Sequence, residues 1–261
     1  FVLGSGWWSD AQTYVIQNHN YFGDRPALLA KLVLEYPNGG RQVVVTGPED
    51  WKLSVGGPMV YAGNFHGEVY DARREAAFAG CSLPQFHDGD WEQPAVLEAV
   101  PVPETEQVPG WPAPNHTQPE FTAWNSTPVR AGKVLKAKSV AQPRPGVFVY
   151  DMGQNMAGVP RIRLRGNCGQ RFVFRFGEML YPSNDPSGMG GMLLTENLRV
   201  ACCTDHYISK GDPKGETFQP RFTFHGYRYL ELTGTAAPPK PEEVEGIVLS
   251  AIPFPPQCHV F

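Results

Sequence analysis

The densest group of chemically capable side chains lies in residues 63–75, Gly-Asn-Phe-His-Gly-Glu-Val-Tyr-Asp-Ala-Arg-Arg-Glu. If the second half of this stretch is a strand, Glu68 and Tyr70 share one face and Asp71 lies on the other, because successive side chains alternate. Asn64 precedes the strand in a turn, so its amide oxygen can reach the Glu68 end. Converging oxygen donors favour a hard cation, sugar hydroxyls, or both. The alternative is a polar strand with local salt bridges.

The sequence contains no self-contained active site. A glycosidase needs two carboxyl groups flanking one bond, but Glu68 and Asp71 are predicted to face opposite sides of their strand, and Glu178 and Glu196 are isolated. Gly-x-Ser-x-Gly, phosphate-loop and His-Glu-x-x-His motifs are absent from the sequence. His225 alternates with aromatic residues, so we expect it to be a structural histidine rather than a catalytic one.

Composition excludes several classes of partner. The chain has a net charge of −4 and no basic block, which argues against binding to nucleic acid or an anionic membrane. No apolar run approaches the roughly twenty residues that span a bilayer, so no membrane span is predicted. Hydrophobic residues make up 41% of the chain and charged residues 18%, as expected of a folded globular protein.

The cysteines and two N-glycosylation sequons favour an extracellular location. The sequons begin at Asn115 and Asn125 in one Pro-rich stretch. Together with five cysteines and no Cys-x-x-Cys zinc pattern, they predict a secreted glycoprotein with disulfides, although all five thiols being reduced remains the alternative. The disulfide candidates are Cys81, Cys168, Cys202, Cys203 and Cys258.

The arrangement of turn and β-favouring residues predicts an all-β fold of two antiparallel β-sandwich domains in tandem. We assign the first sandwich to residues 1–102 and the second to 129–250. In the first, strands at 27–36 and 41–46 flank Asn-Gly-Gly, which predicts a hairpin. Strands of the second are predicted at residues 146–150, 160–164, 171–176, 204–208 and 228–232.

Two further segments are rich in proline. Residues 103–128 carry too many prolines for periodic structure, so we interpret them as the linker between the two sandwiches, and residues 251–261 form a Pro-rich tail. The chain opens inside an apolar stretch without an initiator Met. We therefore expect a mature or excised segment of a longer protein.

Five motifs follow one another along the chain. They begin at Tyr21 (Tyr-Phe-Gly-Asp-Arg-Pro-Ala), Gly67 (Gly-Glu-Val-Tyr-Asp-Ala-Arg), Val149 (Val-Tyr-Asp-Met-Gly-Gln-Asn), Thr195 (Thr-Glu-Asn-Leu-Arg) and Pro220 (Pro-Arg-Phe-Thr-Phe-His-Gly-Tyr). Together they resemble the N-terminal β-domains of bacterial-type α-L-rhamnosidases, glycoside hydrolase family 78. The resemblance covers about residues 1–250. It implies a jelly-roll or concanavalin-like all-β fold in which a rhamnose-binding sandwich precedes a concanavalin-like one. In the family a catalytic (α/α)₆ barrel follows, so the chain is expected to lack the hydrolytic carboxyl pair.

The resemblance also implies a calcium-dependent sugar site. Asn64 matches the amide whose oxygen binds Ca²⁺ together with neighbouring sugar hydroxyls, and the Pro128 carbonyl is the second protein ligand implied. A vicinal diol is a bidentate oxygen ligand that Ca²⁺ accepts readily. The family pattern has an acidic residue immediately before the amide, whereas this chain has Gly63. Loss of that carboxylate predicts a weaker cation site or a lost hydrogen bond to the sugar.

Three functions are consistent with these observations. The first is a non-catalytic carbohydrate-binding protein for L-rhamnose-like glycans, with Ca²⁺ as a possible cofactor. The second is the N-terminal fragment of an intact α-L-rhamnosidase. The third is a secreted, glycosylated structural or assembly protein that self-associates through the same sandwiches. For the first, the predicted ligand-binding residues are Asn64, Glu68, Tyr70 and Asp71, and the predicted metal ligands are Asn64 and Pro128.

Overall fold

A computed structural model describes residues 1–10, 23–97 and 122–252. In these residues the regular structure is almost entirely strand, so the predicted all-β fold is confirmed. The strands are β1 (Lys31–Glu35), β2 (Arg41–Val45), β3 (Met59–Gly63), β4 (Gly67–Asp71), β5 (Arg130–Lys136), β6 (Ser139–Arg144), β7 (Val147–Leu164), β8 (Arg171–Gly177), β9 (Met179–Leu180), β10 (Leu193–Leu194), β11 (Thr204–Ile208), β12 (Glu216–Phe218), β13 (His225–Thr233) and β14 (Val244–Ser250). The helical pieces are α1 (Gly6–Ser9) and the 3₁₀ turns η1 (Ala72–Phe78), η2 (Glu196–Leu198) and η3 (Pro241–Glu243). No helix in the described ranges is long and apolar enough to cross a membrane.

The chain divides into two compact units, and the smaller comprises residues 27–54 and 88–127. Its regular element is the predicted hairpin, in which β1 pairs antiparallel with β2 from Lys31↔Val45 to Glu35↔Arg41. The connecting turn contains Gly39 at φ +81°, a conformation that favours glycine. The Asn-Gly-Gly signal therefore predicted this turn for the correct physical reason.

The larger unit comprises residues 1–26, 55–87 and 128–261 and contains a ten-stranded sheet. Eight strands follow the order β3-β4-β11-β8-β13-β7-β14-β5, and β6 and β12 also pair with β7. β7 is 18 residues long and pairs with β13 and β14 as well, so it pairs with four strands of the sheet. The sequence predicted this strand as two separate pieces.

Aromatic residues from neighbouring strands fill the core of this sheet. On β8, alternate side chains Phe172, Phe174 and Phe176 are buried, as the period of two requires. Phe174 stacks on Phe218 of β12 at 5.2 Å between ring centroids, and Tyr227 of β13 meets Phe176 edge-on at 5.1 Å. Each such ring stabilises the fold by about 1.5–3 kcal/mol through burial.

The segment 59–71 belongs to this large sheet. β4 pairs in parallel with β11, in the register His206↔Val69, Tyr207↔Tyr70 and Ile208↔Asp71. Residues 55–87 therefore lie in the same compact unit as residues 128–252. The division into domains at residue 102 stays a prediction, and the sequence analysis missed this pairing. Most of the predicted linker and tail lies outside the described residues.

Candidate functional site

The stretch 63–75 folds as the end of β3, a tight turn, β4 and η1. The turn requires glycine at position 67, because its φ is +105° and a Cβ there would lie 2.2 Å from the Thr204 carbonyl oxygen. The carbonyl groups of Phe65 and His66 accept hydrogen bonds from the backbone N–H groups of Cys203 and Thr204, both at 3.0 Å. The turn is therefore fixed against the start of β11.

Glu68, a predicted ligand residue, is fully buried. Its Oε2 accepts hydrogen bonds from the backbone N–H groups of Arg221 at 2.8 Å and Phe222 at 3.0 Å. Burial raises the pKa of this carboxyl, and the two backbone hydrogen bonds only partly oppose that shift. Because it has no exposed surface, Glu68 acts in this structure as an internal brace for the segment before β13 rather than as a ligand-facing group.

A buried pair lies beside Glu68. Asp205 accepts a hydrogen bond from the Glu68 backbone N–H at 2.9 Å, and its Oδ2 lies 3.0 Å from Nε2 of His225. Burial acts to lower the pKa of His225, but the charge and hydrogen bond of Asp205 raise it more strongly, to about 9. The imidazole also stacks on Phe176 at 3.9 Å. His225 is therefore a buried cation with a structural role, as the sequence analysis expects.

Tyr70 and Asp71 contact η1 and its surroundings. The Tyr70 hydroxyl donates to Glu75 at 2.9 Å, and burial, then Glu75, raises the pKa of that hydroxyl. Asp71 caps η1 and accepts hydrogen bonds from Nε and Nη2 of Arg73, at 2.9 and 2.8 Å, which hold its pKa below the usual range. These two predicted ligand residues thus lie at the far end of β4 from the turn, and their polar groups already have partners within the protein.

Asp10, which the sequence analysis did not select, lies beside the turn. It directly follows α1, is only 7% exposed, and accepts a hydrogen bond on Oδ1 from the Tyr61 hydroxyl at 2.6 Å. A Cβ built on Gly63 would lie 1.8 Å from Oδ2 of Asp10. The carboxylate therefore occupies the space that a side chain at position 63 would take. Half-buried Asn64 is the next residue of the turn.

This arrangement had no sequence signal. Asp10 and Tyr61 are 51 residues apart, and neither belongs to a recognisable motif. The pKa of the Tyr61 hydroxyl is raised by burial first, and then by its hydrogen bond to Asp10 and that carboxylate's charge. The structure thus places a carboxylate and a phenol together at the end of β3, directly before the Asn64 position that the sequence indicated.

The remaining predicted sites lie on the surface or outside the described residues. Pro128 and Asn125 are exposed, while Asn115 and Cys258 lie outside the described ranges. The four cysteines that the structure describes are free thiols, which corrects the prediction of disulfides among them. Cys81 follows η1, Cys168 lies next to Gly211, and Cys202 and Cys203 are consecutive residues of the loop before β11, where Cys203 donates its backbone N–H to Phe65.

Family models match almost the whole chain. The model of the alpha-L-rhamnosidase N-terminal domain matches residues 1–149, and that of the bacterial alpha-L-rhamnosidase concanavalin-like domain matches residues 141–250. Two alpha-L-rhamnosidases are similar in sequence. That of Streptomyces avermitilis is 40% identical over 97% of this chain and 22% of its own length, and that of Alteromonas sp. is 30% identical over 92% and 23%.

Solved structures agree with these matches. The crystal structure of the S. avermitilis alpha-L-rhamnosidase complexed with L-rhamnose has a TM-score of 0.76 at 38% identity, covering 94% of this chain and 21% of that one. The native Aspergillus terreus enzyme has a TM-score of 0.73 at 28% identity, covering 95% and 25%. This chain spans about a fifth to a quarter of the length of these relatives. It belongs to the family of alpha-L-rhamnosidase N-terminal β-domains.

Proposed function

We propose that this chain is a non-catalytic carbohydrate-binding portion of an α-L-rhamnosidase-related protein, with the turn at residues 63–66 as its binding edge. One observation carries the proposal: the buried carboxylate of Asp10, bonded to the Tyr61 hydroxyl, lies against Gly63, and half-buried Asn64 is the next residue of the turn. Amide, carboxylate and aromatic groups are the types that bind a sugar, since the ring stacks and the oxygens accept hydroxyl hydrogen bonds.

The contacts of the carboxylates considered for catalysis support a binding function rather than hydrolysis. Glu68 is buried and braces the backbone, and Asp71 is paired with Arg73. Glu178 accepts a hydrogen bond from Asn155 at 2.7 Å, and Glu196 accepts one from Tyr181 at 2.6 Å. Two carboxyl groups flanking one glycosidic bond are what hydrolysis requires, and these four are each engaged in separate structural contacts.

We assign L-rhamnose-like sugars as the ligand class and Ca²⁺ as an assisting ion. Support comes from Asn64, whose amide oxygen is a suitable hard donor, and from similarity to a relative crystallised with L-rhamnose. In the described residues there is no group of three or more His, Cys, Asp or Glu side chains placed to hold a metal. A calcium ion at Asn64 would then take most of its six to eight oxygens from sugar hydroxyls, backbone carbonyls such as that of Pro128, and water.

A calcium ion held by these oxygen donors implies that calcium binding and sugar binding are coupled. An ion held partly by sugar hydroxyls binds weakly alone, so sugar and calcium must strengthen each other's binding by the same factor. Calorimetric titration of L-rhamnose in calcium and in EGTA measures this factor. We expect binding in calcium that weakens at least about tenfold in EGTA; no binding in either condition overturns the proposal.

A pair of asparagine variants locates the site. Asn64→Ala is expected to weaken L-rhamnose binding by about tenfold or more, because it removes the amide oxygen. Asn184→Ala, at an exposed position of another loop, is the matched control and should bind as the wild type does. Equal affinities in the two variants would place the sugar elsewhere on the chain.

A second candidate function is supported by the coverage of the relatives. Since the chain matches only 22% of the S. avermitilis alpha-L-rhamnosidase, we propose that it serves as the N-terminal part of a longer α-L-rhamnosidase. The intact mass of the native protein, or the downstream coding sequence, tests this directly. A native chain that ends at Phe261 would refute it.

We also propose that the protein is secreted and carries a glycan at Asn125. The support is its sequon and its exposed side chain. Peptide mapping of protein from the native source, with and without glycosidase treatment, checks this. If every copy of the Asn125 peptide lacks a glycan, the proposal is contradicted.

A further inference from the structure

The turn at residues 63–66 contains polar atoms that the fold itself does not use. Oδ2 of Asp10 is buried and has no hydrogen-bond partner, and Nδ1 of His66 is in the same condition. A buried polar atom without a partner lowers stability, so such atoms in a folded protein call for an explanation. At the edge of a binding turn, the simplest explanation is a ligand atom that completes the hydrogen bonding.

The Asp10 carboxylate is held in one orientation. Its Oδ1 accepts the Tyr61 hydroxyl at 2.6 Å, which fixes where Oδ2 points. Oδ2 lies over Gly63, where any larger side chain would collide with it. The φ of Gly63 is not positive, so the backbone does not require glycine there. What glycine provides at this position is room for the carboxylate of Asp10.

Another buried carboxylate shows why position matters. Glu68 also has an oxygen without a partner, Oε1, but that residue has no exposed surface and its other oxygen braces the backbone. Asp10 retains 7% exposure and lies at the end of β3, next to half-buried Asn64. Of the two residues, only Asp10 has any surface exposed to solvent.

We propose that Asp10 is a sugar-binding residue whose Oδ2 accepts a hydrogen bond from one ring hydroxyl of the bound L-rhamnose-like ligand, with Tyr61 as its positioning residue. This inference rests on the proposed carbohydrate-binding function. A hydroxyl fits better than a cation because the surrounding groups on this turn are a phenol, an imidazole and an amide, which together resemble a sugar-binding surface. The ring of Tyr61 lies 6.5 Å from that of His66, centroid to centroid.

The effect on affinity follows from the charge of the acceptor. Hydrogen bonds to an ionised group are stronger than neutral ones, and losing one from a buried site weakens binding about tenfold to a hundredfold. Asp10→Asn is the informative change, because the amide oxygen can still accept from Tyr61 while an NH₂ group replaces Oδ2. The variant therefore removes the proposed contact and retains the internal one.

The experiment is a titration of wild type and Asp10→Asn with L-rhamnose and its 2-, 3- and 4-deoxy analogues, in calcium. We expect Asp10→Asn to weaken L-rhamnose binding about tenfold to a hundredfold. We also expect one deoxy analogue to bind both proteins with similar affinity, since it lacks the hydroxyl that Asp10 accepts. That analogue identifies the hydroxyl.

Gly63→Ala supplies an independent variant. Its methyl group would displace the Asp10 carboxylate, so it should weaken L-rhamnose binding by a similar factor even if Asp10→Asn fails to fold. Tyr61→Phe retains the carboxylate and frees its orientation, so its effect should be smaller than that of Asp10→Asn. Thermal melting of each variant confirms that the protein is folded.

The outcomes separate the two proposals. Wild type that does not bind L-rhamnose overturns both the proposed function and this inference. Wild type that binds, with unchanged affinity in Asp10→Asn and Gly63→Ala, overturns the role of Asp10 alone. An Asp10→Asn variant that weakens all four sugars equally shows a structural role, and one that loses calcium binding in the absence of sugar shows a cation ligand; either result also overturns it.

Discussion

Two neighbouring regions of the large sheet contain buried carboxylates that are used in opposite ways. In the first, the brace formed by Glu68, Asp205 and His225, the acidic groups hold backbone N–H groups and a buried imidazolium. In the second, the turn that ends β3, one oxygen of Asp10 accepts a hydrogen bond from Tyr61 and the other is buried without a partner. Burial alone therefore does not distinguish a structural carboxylate from a binding one. What distinguishes the two residues is that Asp10 keeps some exposed surface, whereas Glu68 has none.

The largest expected effect comes from breaking the brace. Asp205→Ala would leave His225 as an unpaired buried cation and remove the acceptor of the Glu68 N–H, which should lower the free energy of unfolding by about 3–5 kcal/mol. Urea unfolding measures this loss. Asp90→Ala, at an exposed aspartate, is the control and should change stability by less than about 0.5 kcal/mol. A small loss at Asp205 would show that the brace does not hold the sheet together.

The pH dependence of stability tests the role of His225 in the same brace. The pKa of His225 is about 9 when folded, above its ordinary value of 6.5, so the folded state binds the extra proton. Its contribution is fully present below about pH 6.5 and is lost as the pH rises through 9; the shift corresponds to about 3 kcal/mol. Unfolding free energies at pH 6 and pH 10, in wild type and His225→Gln, test this. A variant that loses as much stability as the wild type over that range contradicts the assignment.

The turn itself can be broken by a substitution at Gly67, where a Cβ would also lie 2.7 Å from Oδ1 of Asp205. Gly67→Ala places a Cβ at φ +105° and against the Thr204 carbonyl, which should cost about 1–3 kcal/mol in backbone strain alone. Because the turn carries Asn64, sugar affinity should fall together with stability. Gly146→Ala, also at positive φ but with open space around its Cβ, is the matched control for strain without collision. A variant as stable as that control would mean that the turn relaxes freely.

The sequence predicted local features and missed the long-range ones. Asn-Gly-Gly correctly predicted the hairpin turn, and the strand assumed in the second half of residues 63–75 corresponds to β4, because both features depend on neighbouring residues. The parallel pairing of β4 with β11 was not predictable in this way. A period of two marks a strand but does not name its partner.

The candidate site shows the same limit. Asn64 was identified from its position before the glycine, whereas Asp10 was not, since it reaches Gly63 only through the fold. The sequence analysis expected Gly63 to leave the site without a carboxylate. The structure provides one at that position from a different part of the chain.

The smallest expected change in stability comes from a matched pair of amide substitutions, and it tests the comparison most directly. Glu68→Gln keeps an acceptor for the N–H groups of Arg221 and Phe222 and removes a charge whose burial is unfavourable, as its raised pKa shows. A carboxyl with a raised pKa stabilises the fold below its unfolded pKa and loses that contribution as the pH rises through the folded value. The free energy of unfolding of Glu68→Gln should therefore rise relative to that of wild type as the pH rises, by up to about 1 kcal/mol at pH 7. Its sugar affinity should be unchanged.

Asp10→Asn should do the reverse, changing sugar affinity while stability at pH 7 stays within about 1 kcal/mol of wild type, because the hydrogen bond to Tyr61 is retained. Denaturant unfolding at pH 4 and pH 7 measures the stability of both variants, and titration with L-rhamnose measures their sugar affinity. If both substitutions change affinity, or neither does, the partial exposure of Asp10 is not what separates the two carboxylates. If only Asp10→Asn changes affinity, the same chemical group serves the fold at one position and the ligand at the other.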